Sequence, residues 1–324
     1  MESQTEESKC FSVNYHDDIY NIYDFLNNHH HPGGINYVKS YEDKDITKRM
    51  QKVQHSKAAL YLLRQYKKGG RDTSTKDNQD DLESLVDWEQ PILGQVMALG
   101  SKYKEWVNLP IDRKVRFFGN PVVEKLTMTP WYLIPIIWIP IAVIFIMYGR
   151  QTYVEITGDT SYVPIALSVL FGILLWSFSE YCLHRWLFHF EPSGKYKFVI
   201  YFHFVLHGLH HKLPFDKRTW IFPPQFAVFF VYGKFSIFRI IFPESIVFQV
   251  LAGALLGYIL YDMIHLYVHK CAPKEGSYLY YLKRRHNQHH FANSQAEFGV
   301  SSGFWDIIFC SNIKLRKLAI PIKF

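Results

Sequence analysis

Tyr162-Val-Pro-Ile-Ala-Leu-Ser-Val-Leu-Phe-Gly-Ile-Leu-Leu-Trp-Ser-Phe-Ser179 carries no charge, and His184-Arg-Trp-Leu-Phe-His189 follows it closely. An uncharged run of this length approaches the ~20 residues that a helix needs to cross a bilayer core. The pairing recurs downstream, where uncharged 246–261 runs into His265-Leu-Tyr-Val-His269. Two more histidine groups complete the pattern, His203-Phe-Val-Leu-His207-Gly-Leu-His210-His211 and His286-Asn-Gln-His289-His290. Of the chain's 16 His, 11 therefore lie between positions 184 and 290.

Helix geometry gives these spacings a meaning. Residues three or four apart share a helix face. His207, His210 and His211 converge on that rule, as do His286, His289 and His290, and the pair His265 and His269. His184 and His189 are five apart, which splays their rings by about 140° on an α-helix. That pair is expected to reach two neighbouring ions rather than to chelate one. His203 lies one turn before the compact group and is expected to support it, not to bind metal. The remaining ten imidazoles, with no thiolate competitor nearby, describe a site for two borderline metals such as iron or zinc. Spacing alone does not choose between them, and purified protein could carry zinc. Ten buried imidazoles without metal would leave many ring nitrogens in need of partners. Glu180, Asp262 and Glu297 stand close to the boxes, where each is expected to accept the free N–H of a ligand His.

Four membrane spans are expected, at 131–148, 162–179, 226–242 and 246–263. The third is the weakest, because Lys234 and Arg239 lie inside it and a charge at the bilayer centre costs roughly 2.5–3.5 kcal/mol on insertion scales. Only Arg150, Lys234 and Arg239 of the 36 Lys and Arg fall within 130–179 and 225–263. The positive-inside rule then puts the rest of the chain, including both termini and every clustered His, on the cytosolic side. The first nine residues are acidic and polar, unlike a signal peptide, so insertion is expected from internal segments. A hydrophobic content of 48% excludes a disordered chain. Four scattered Cys exclude a disulfide scaffold and a thiolate zinc ribbon.

The box order HxxxxH, HxxHH, HxxxH, HxxHH resembles the fatty acid hydroxylase superfamily of integral membrane dimetal oxygenases. The flanks are similar to its fatty acid 2-hydroxylase branch: Leu85-Val-Asp-Trp88 with Pro91, Trp131-Tyr132 with Pro135 and Trp138-Ile-Pro140, His207-Gly-Leu-His-His-Lys-Leu-Pro-Phe-Asp216, and Phe298-Gly-Val-Ser-Ser-Gly-Phe-Trp-Asp306. The resemblance covers about 82–312. It implies two irons held by His184, His189, His207, His210, His211, His265, His269, His286, His289 and His290, with Glu180 and Asp262 behind them. It also implies activation of O2 and hydroxylation at carbon 2 of an acyl chain, feeding 2-hydroxy sphingolipid (ceramide) synthesis at the endoplasmic reticulum membrane. A desaturase or sterol oxidase with similar boxes is the nearest rival enzyme, and a membrane haem or metal electron carrier is the rival of another class. Trp186, Phe188, Phe202, Phe204 and Phe291 are candidates to line an apolar way in for the acyl tail.

Further upstream, His31-Pro-Gly-Gly34 and a second His at position 55, ahead of Ala58-Ala-Leu-Tyr-Leu-Leu63, resemble cytochrome b5. The resemblance implies that His31 and His55 are the axial ligands of haem b, a state suited to electron transfer because no open site is left on the iron. The usual start of that domain is shortened here. The expected architecture is therefore mostly α: a four-span helical bundle with a cytosolic His-rich dimetal cap at 85–324, a small α+β haem domain at 8–70, and a linker at 71–84. The polar, Gly-led stretch 69–81 reads as a flexible tether, with the haem domain a loose cap. The partners expected are a cytochrome b5 reductase or similar electron donor, a fatty acyl or ceramide substrate and membrane lipids, and no nucleic acid.

Overall fold

The computed structural model describes residues 10–28, 31, 35–53, 55–68 and 82–313. The tether at 69–81, His29, His30 and residues 32–34 of the HPGG turn lie outside them.

Four helices are long and apolar enough to cross a membrane: Leu133–Thr157, Val163–Phe188, a third whose regular part is Pro224–Ile241, and Glu244–Lys270. Proline chemistry sets their limits. Pro164 and Pro224 occupy first-turn positions, where the missing N–H costs nothing. Phe242 precedes Pro243 and is forced into extended backbone (φ −105°, ψ 144°), which ends the third helix and opens a tight turn into the fourth. The first, second and fourth helices run past the expected spans, and the second and fourth carry the His boxes on their C-terminal extensions beyond the apolar core. Large apolar residues such as Ile144, Leu170, Phe229 and Ile240 face outward on the first three, where lipid would cover them. Lys234 folds back so that its ammonium lies 5.1 Å from the Trp176 ring centroid.

The fourth helix is the axle of the bundle, with 67% of its apolar window buried against 22% for each of the others. Its contact with the second helix is backbone on backbone. A Cβ added at Gly253 would lie 2.0 Å from the Val169 carbonyl oxygen, and one at Gly172 would lie 2.1 Å from that of Val250. Small residues allow such approach between membrane helices, where dispersion rather than the hydrophobic effect drives association. Gly253→Leu is expected to cost about 3 kcal/mol through overpacking. A thermal midpoint in detergent equal to that of the parent would refute the close approach.

Between the haem-like domain and the first span, residues 82–118 wrap a second core around Tyr103, Trp106, Ile111 and Phe117, closed by Ile200, Phe204 and Leu213. This core carries the metal-bearing end of the bundle. Leu82 and Glu83, expected in the linker, are buried in it. The N-terminal domain is small, an antiparallel hairpin of Ser12–Tyr15 and Asp18–Asn21 with helices Tyr23–Asn27, Thr47–Val53 and Lys57–Leu63. Its core holds Phe11, Val13, Tyr20, Ile22, Leu26 and Ile46.

Candidate metal centre

The fold brings all ten box imidazoles together at one end of the bundle, in two groups of five. His184, His189, His207, His211 and His289 form one, and His210, His265, His269, His286 and His290 form the other. Within each group the ligand atoms lie within 4.8 Å of one another. The boxes are shared between groups: His207 and His211 go to the first and His210 to the second, while His289 goes to the first and His286 and His290 to the second. Helical spacing explains the split, since residues four apart stay together and the residue between them turns away.

His184 and His189 belong to one group, which corrects the expectation that they serve separate ions. The reason is local. Residues Leu183–Phe188 form a π-helical segment, and the His189 N–H bonds the His184 carbonyl at 3.0 Å, a five-residue step. A π-turn returns residue i+5 to the face of residue i, and the two Nε2 atoms stand 3.2 Å apart. A second π-segment, Phe204–Gly208, leads into His207–His211.

The donors fit metal ions. Nitrogens at about 2.0–2.1 Å from one ion lie about 3 Å apart when adjacent. The Nε2 separations are 3.0 Å for His184–His207, 3.1 Å for His211–His207 and for His289–His211, 3.1 Å for His265–His210, and 2.7 and 3.0 Å for His286 with His269 and His290. The outer nitrogens settle which atom is bare. Nδ1–H of His265 donates to the Trp220 carbonyl at 2.8 Å, that of His289 to Ala296 at 2.7 Å, and that of His184 to Phe298. A ring that donates through Nδ1 presents a lone pair at Nε2. Bare lone pairs facing one another at these distances repel unless a cation lies between them. Burial holds His207, His210, His211, His286, His289 and His290 well below the ordinary imidazole value, so they stay neutral and ready to ligate.

The carboxylates act one step further out than expected. None accepts a ligand N–H; backbone carbonyls do that for His184, His265 and His289, and the carboxylates hold the segments that present them. Glu180 accepts from the backbone N–H of Val300 and Ser301 at 2.8 Å each, beside Phe298. Asp262 accepts from Phe222 N–H at 3.3 Å, two residues after Trp220. Glu297 pairs with Arg285 and accepts from Ile313 N–H, next to Ala296.

Sequence reasoning missed five contributors, which act in three contacts. Arg285 lies buried between Glu297 and Asp306, and Asp306 accepts from Phe298 and Gly299 N–H at 2.9 and 2.8 Å. Tyr103 donates to His203 Nδ1 at 2.6 Å, and the His203 ring also bonds the Phe188 backbone, so this neutral imidazole braces the π-segment outside both groups. Burial lowers the His203 value to about 4. Lys212, next to His211, forms a buried pair with Glu83 at 2.8 Å. The signal for Asp306 was present in the quoted Phe298–Asp306 stretch; nothing local marked Tyr103 or Glu83.

On the membrane side an apolar cavity of about 50 Å³ lies between the second, third and fourth helices, lined in part by Leu183, Phe188, Phe222, Phe230, Tyr258 and Tyr261. Its walls touch both groups: Phe188 stacks on His207 at 5.3 Å and Tyr261 on His265 at 5.9 Å between centroids. Of the aromatics expected to line a way in, only Phe188 does. Trp186 and Phe202 face outward, Phe204 fills the second core, and Phe291 packs on Phe215.

In the N-terminal domain the His31 and His55 ring centroids are 6.4 Å apart. Two imidazoles bound axially to one iron put their centroids about 6 Å apart at such metal–nitrogen lengths. Burial lowers the His55 value and favours the neutral ring, and the Met50 carbonyl, 3.3 Å from Nδ1, accepts the ring N–H so that Nε2 presents its lone pair.

Comparison with known proteins agrees in both halves. A model described as fatty acid hydroxylase matches residues 169–311, and one described as cytochrome b5-like heme/steroid binding domain matches residues 1–72. The chain is 35% identical to the fatty acid 2-hydroxylase of Homo sapiens, over 90% of this chain and 88% of that protein. It is 35% identical to a dihydroceramide fatty acyl 2-hydroxylase of Arabidopsis thaliana, over 69% of this chain and 92% of that one. A solved structure of full-length scs7p, in which only the hydroxylase domain is visible, superposes with a TM-score of 0.64 at 29% identity, covering 73% of this chain and 89% of the other.

Proposed function

The chain belongs to the fatty acid 2-hydroxylase family, and from that premise we propose that its ten box histidines hold two iron ions that serve hydroxylation at carbon 2 of a fatty acyl chain, free or in ceramide. It is a membrane enzyme, and its cytochrome b5-like domain implies electron transfer into the reaction. The family speaks for hydroxylation over desaturation, sterol oxidation or bare electron carriage. The carrying observation for the metals is the convergence of ten Nε2 atoms into two five-donor groups.

When bound, the two ions supply O2 activation; imidazole suits iron while leaving coordination positions open. The protein's own contribution is position. Backbone carbonyls behind His184, His265 and His289 fix ring tautomer and angle. The apolar cavity gives the acyl tail a dry berth between Phe188 and Tyr261, so that carbon 2 rather than a carbon further along the tail meets the metals. Excluding water there guards against side reactions. His31 and His55 hold haem b, and a cytochrome b5 reductase or similar donor delivers electrons to it. The units run 8–70 for the haem domain and from about residue 82 onward for the hydroxylase. The setting is the endoplasmic reticulum membrane, with both termini and the metals on the cytosolic side as the positive-inside rule indicates.

Expression in cells lacking their own 2-hydroxylase, followed by lipid mass spectrometry, tests this. The parent is expected to yield 2-hydroxy acyl sphingolipids. His31→Ala is expected to lower them about tenfold or more, since each haem has only two protein ligands. Absence of any 2-hydroxy product from inserted, metal-loaded parent would sink the reading. Feeding labelled free acid or labelled ceramide separates the two substrate forms.

A further inference from the structure

The haem-like domain is not a loose cap among the described residues. Tyr66 donates to Asp112 at 2.5 Å, Arg113 to Gln65 at 2.7 Å, Tyr61 to Glu83 at 2.5 Å, and Lys57 pairs with Glu105 at 2.7 Å, so polar contacts hold it against the hydroxylase body. Glu83 is also the partner of buried Lys212, beside His211. Phe25 packs on Tyr66 at 5.6 Å in the same contact region.

A file of rings crosses this interface. Phe25 meets the His31 ring edge-on at 6.2 Å between centroids and meets Phe215 edge-on at 5.9 Å. Phe215 stacks on Phe291 at 5.8 Å with an interplanar angle of 20°. Phe291 adjoins His290, ring to ring at 6.1 Å. The route starts at one candidate haem ligand and ends at a member of the second imidazole group, with an aromatic ring at every intermediate step. Phe215 and Phe291 are outgrowths of two boxes, being four residues after His211 and one after His290. Transfer of an electron between fixed sites weakens steeply with separation. Rings in van der Waals contact provide the shortest gaps, and an apolar surround limits the solvent reorganisation that opposes each transfer.

We propose that Phe25, Phe215 and Phe291 form the path by which electrons pass from the haem at His31 to the metal held by the His290 group, so that this ion is reduced before its neighbour. The inference rests on the proposed haem and metal ligands. Each transfer oxidises one ferrous haem to ferric and adds one electron to that metal. Two transfers and two protons from water accompany each O2; one oxygen atom enters the C–H bond at carbon 2 and the other leaves as water. A flavin-dependent reductase returns the haem to the ferrous state after each step.

The test uses the full chain in nanodiscs, loaded with haem and oxidised iron, kept free of O2. A photo-excited flavin reduces the haem in a flash, and the decay of the ferrous haem band reports transfer. The parent is expected to decay only when the metals are loaded. Phe215→Leu is expected to slow that decay about tenfold or more, as misplacement of reacting centres does. Its haem spectrum, metal content and hydrogen-exchange protection across 57–66 should match the parent, and Phe215→Tyr should restore the rate. Decay of Phe215→Leu at the parent rate would overturn the path. So would slowing that tracks loss of protection across 57–66 and is not rescued by Tyr, which marks a docking contact only. A parent whose haem does not respond to metal loading would overturn the underlying haem-to-metal reading, and the path with it.

Discussion

His289→Ala is expected to abolish 2-hydroxy product and to lower the bound metal well below two ions per chain. His289 is fully buried and its Nε2 sits 3.1 Å from that of His211 in the first group. Its Nδ1–H is held by Ala296, which leaves Nε2 as the atom that faces the group. Disturbing a partner behind a metal ligand typically costs 10–100-fold; loss of the ligand itself should cost about 100-fold or more. Elemental analysis of purified protein and lipid mass spectrometry of the same cells check both halves. Two retained ions with parental product would remove His289 from the site.

The second large effect is on stability. Arg285→Ala is expected to destabilise the chain by about 3–5 kcal/mol, because it strands two carboxylates inside the protein. Arg285 is 3% exposed, and the side chains of Glu297 and Asp306 are fully buried. In a body of this size that corresponds to a fall of about 10 °C in thermal midpoint. The damage should reach the metals, since Asp306 anchors Phe298, whose carbonyl accepts from His184. Arg285→Lys is not expected to rescue it, because an ammonium lacks the planar fork that serves two carboxylates at once. An unchanged midpoint for Arg285→Ala would show that the buried trio contributes little.

What could be read from the chain was what repeats along it. Uncharged runs marked three of the four spans, and three- and four-residue His spacings marked the faces, because a helix converts spacing into direction. His184 and His189 misled because a π-turn changes that conversion and nothing in Leu183–Phe188 announces one. Their five-residue gap is itself the clue, once ligation is assumed. The contributors that went unread act across long separations: Glu83 meets Lys212, Tyr103 meets His203, and Arg285 meets Asp306. A single buried charge in a polar neighbourhood has no periodic signature. The docking of the haem-like domain was illegible for the same reason, since Tyr66 and Asp112 are ordinary surface residues until the fold makes them neighbours.

The interleaving of the boxes has one last consequence. The helix that ends in Phe291 gives one ring to the first group and two to the second, and the segment at His207–His211 gives two and one. Neither site can be assembled alone, because whatever orders one helix for the first ion has already oriented the rings awaiting the second. Loading is therefore a linked equilibrium in which the first ion meets most of the ordering cost and the second binds more tightly. A half-filled enzyme should be scarce, so scarcity of metal in a cell would divide the population into complete and empty molecules instead of leaving every molecule partly armed.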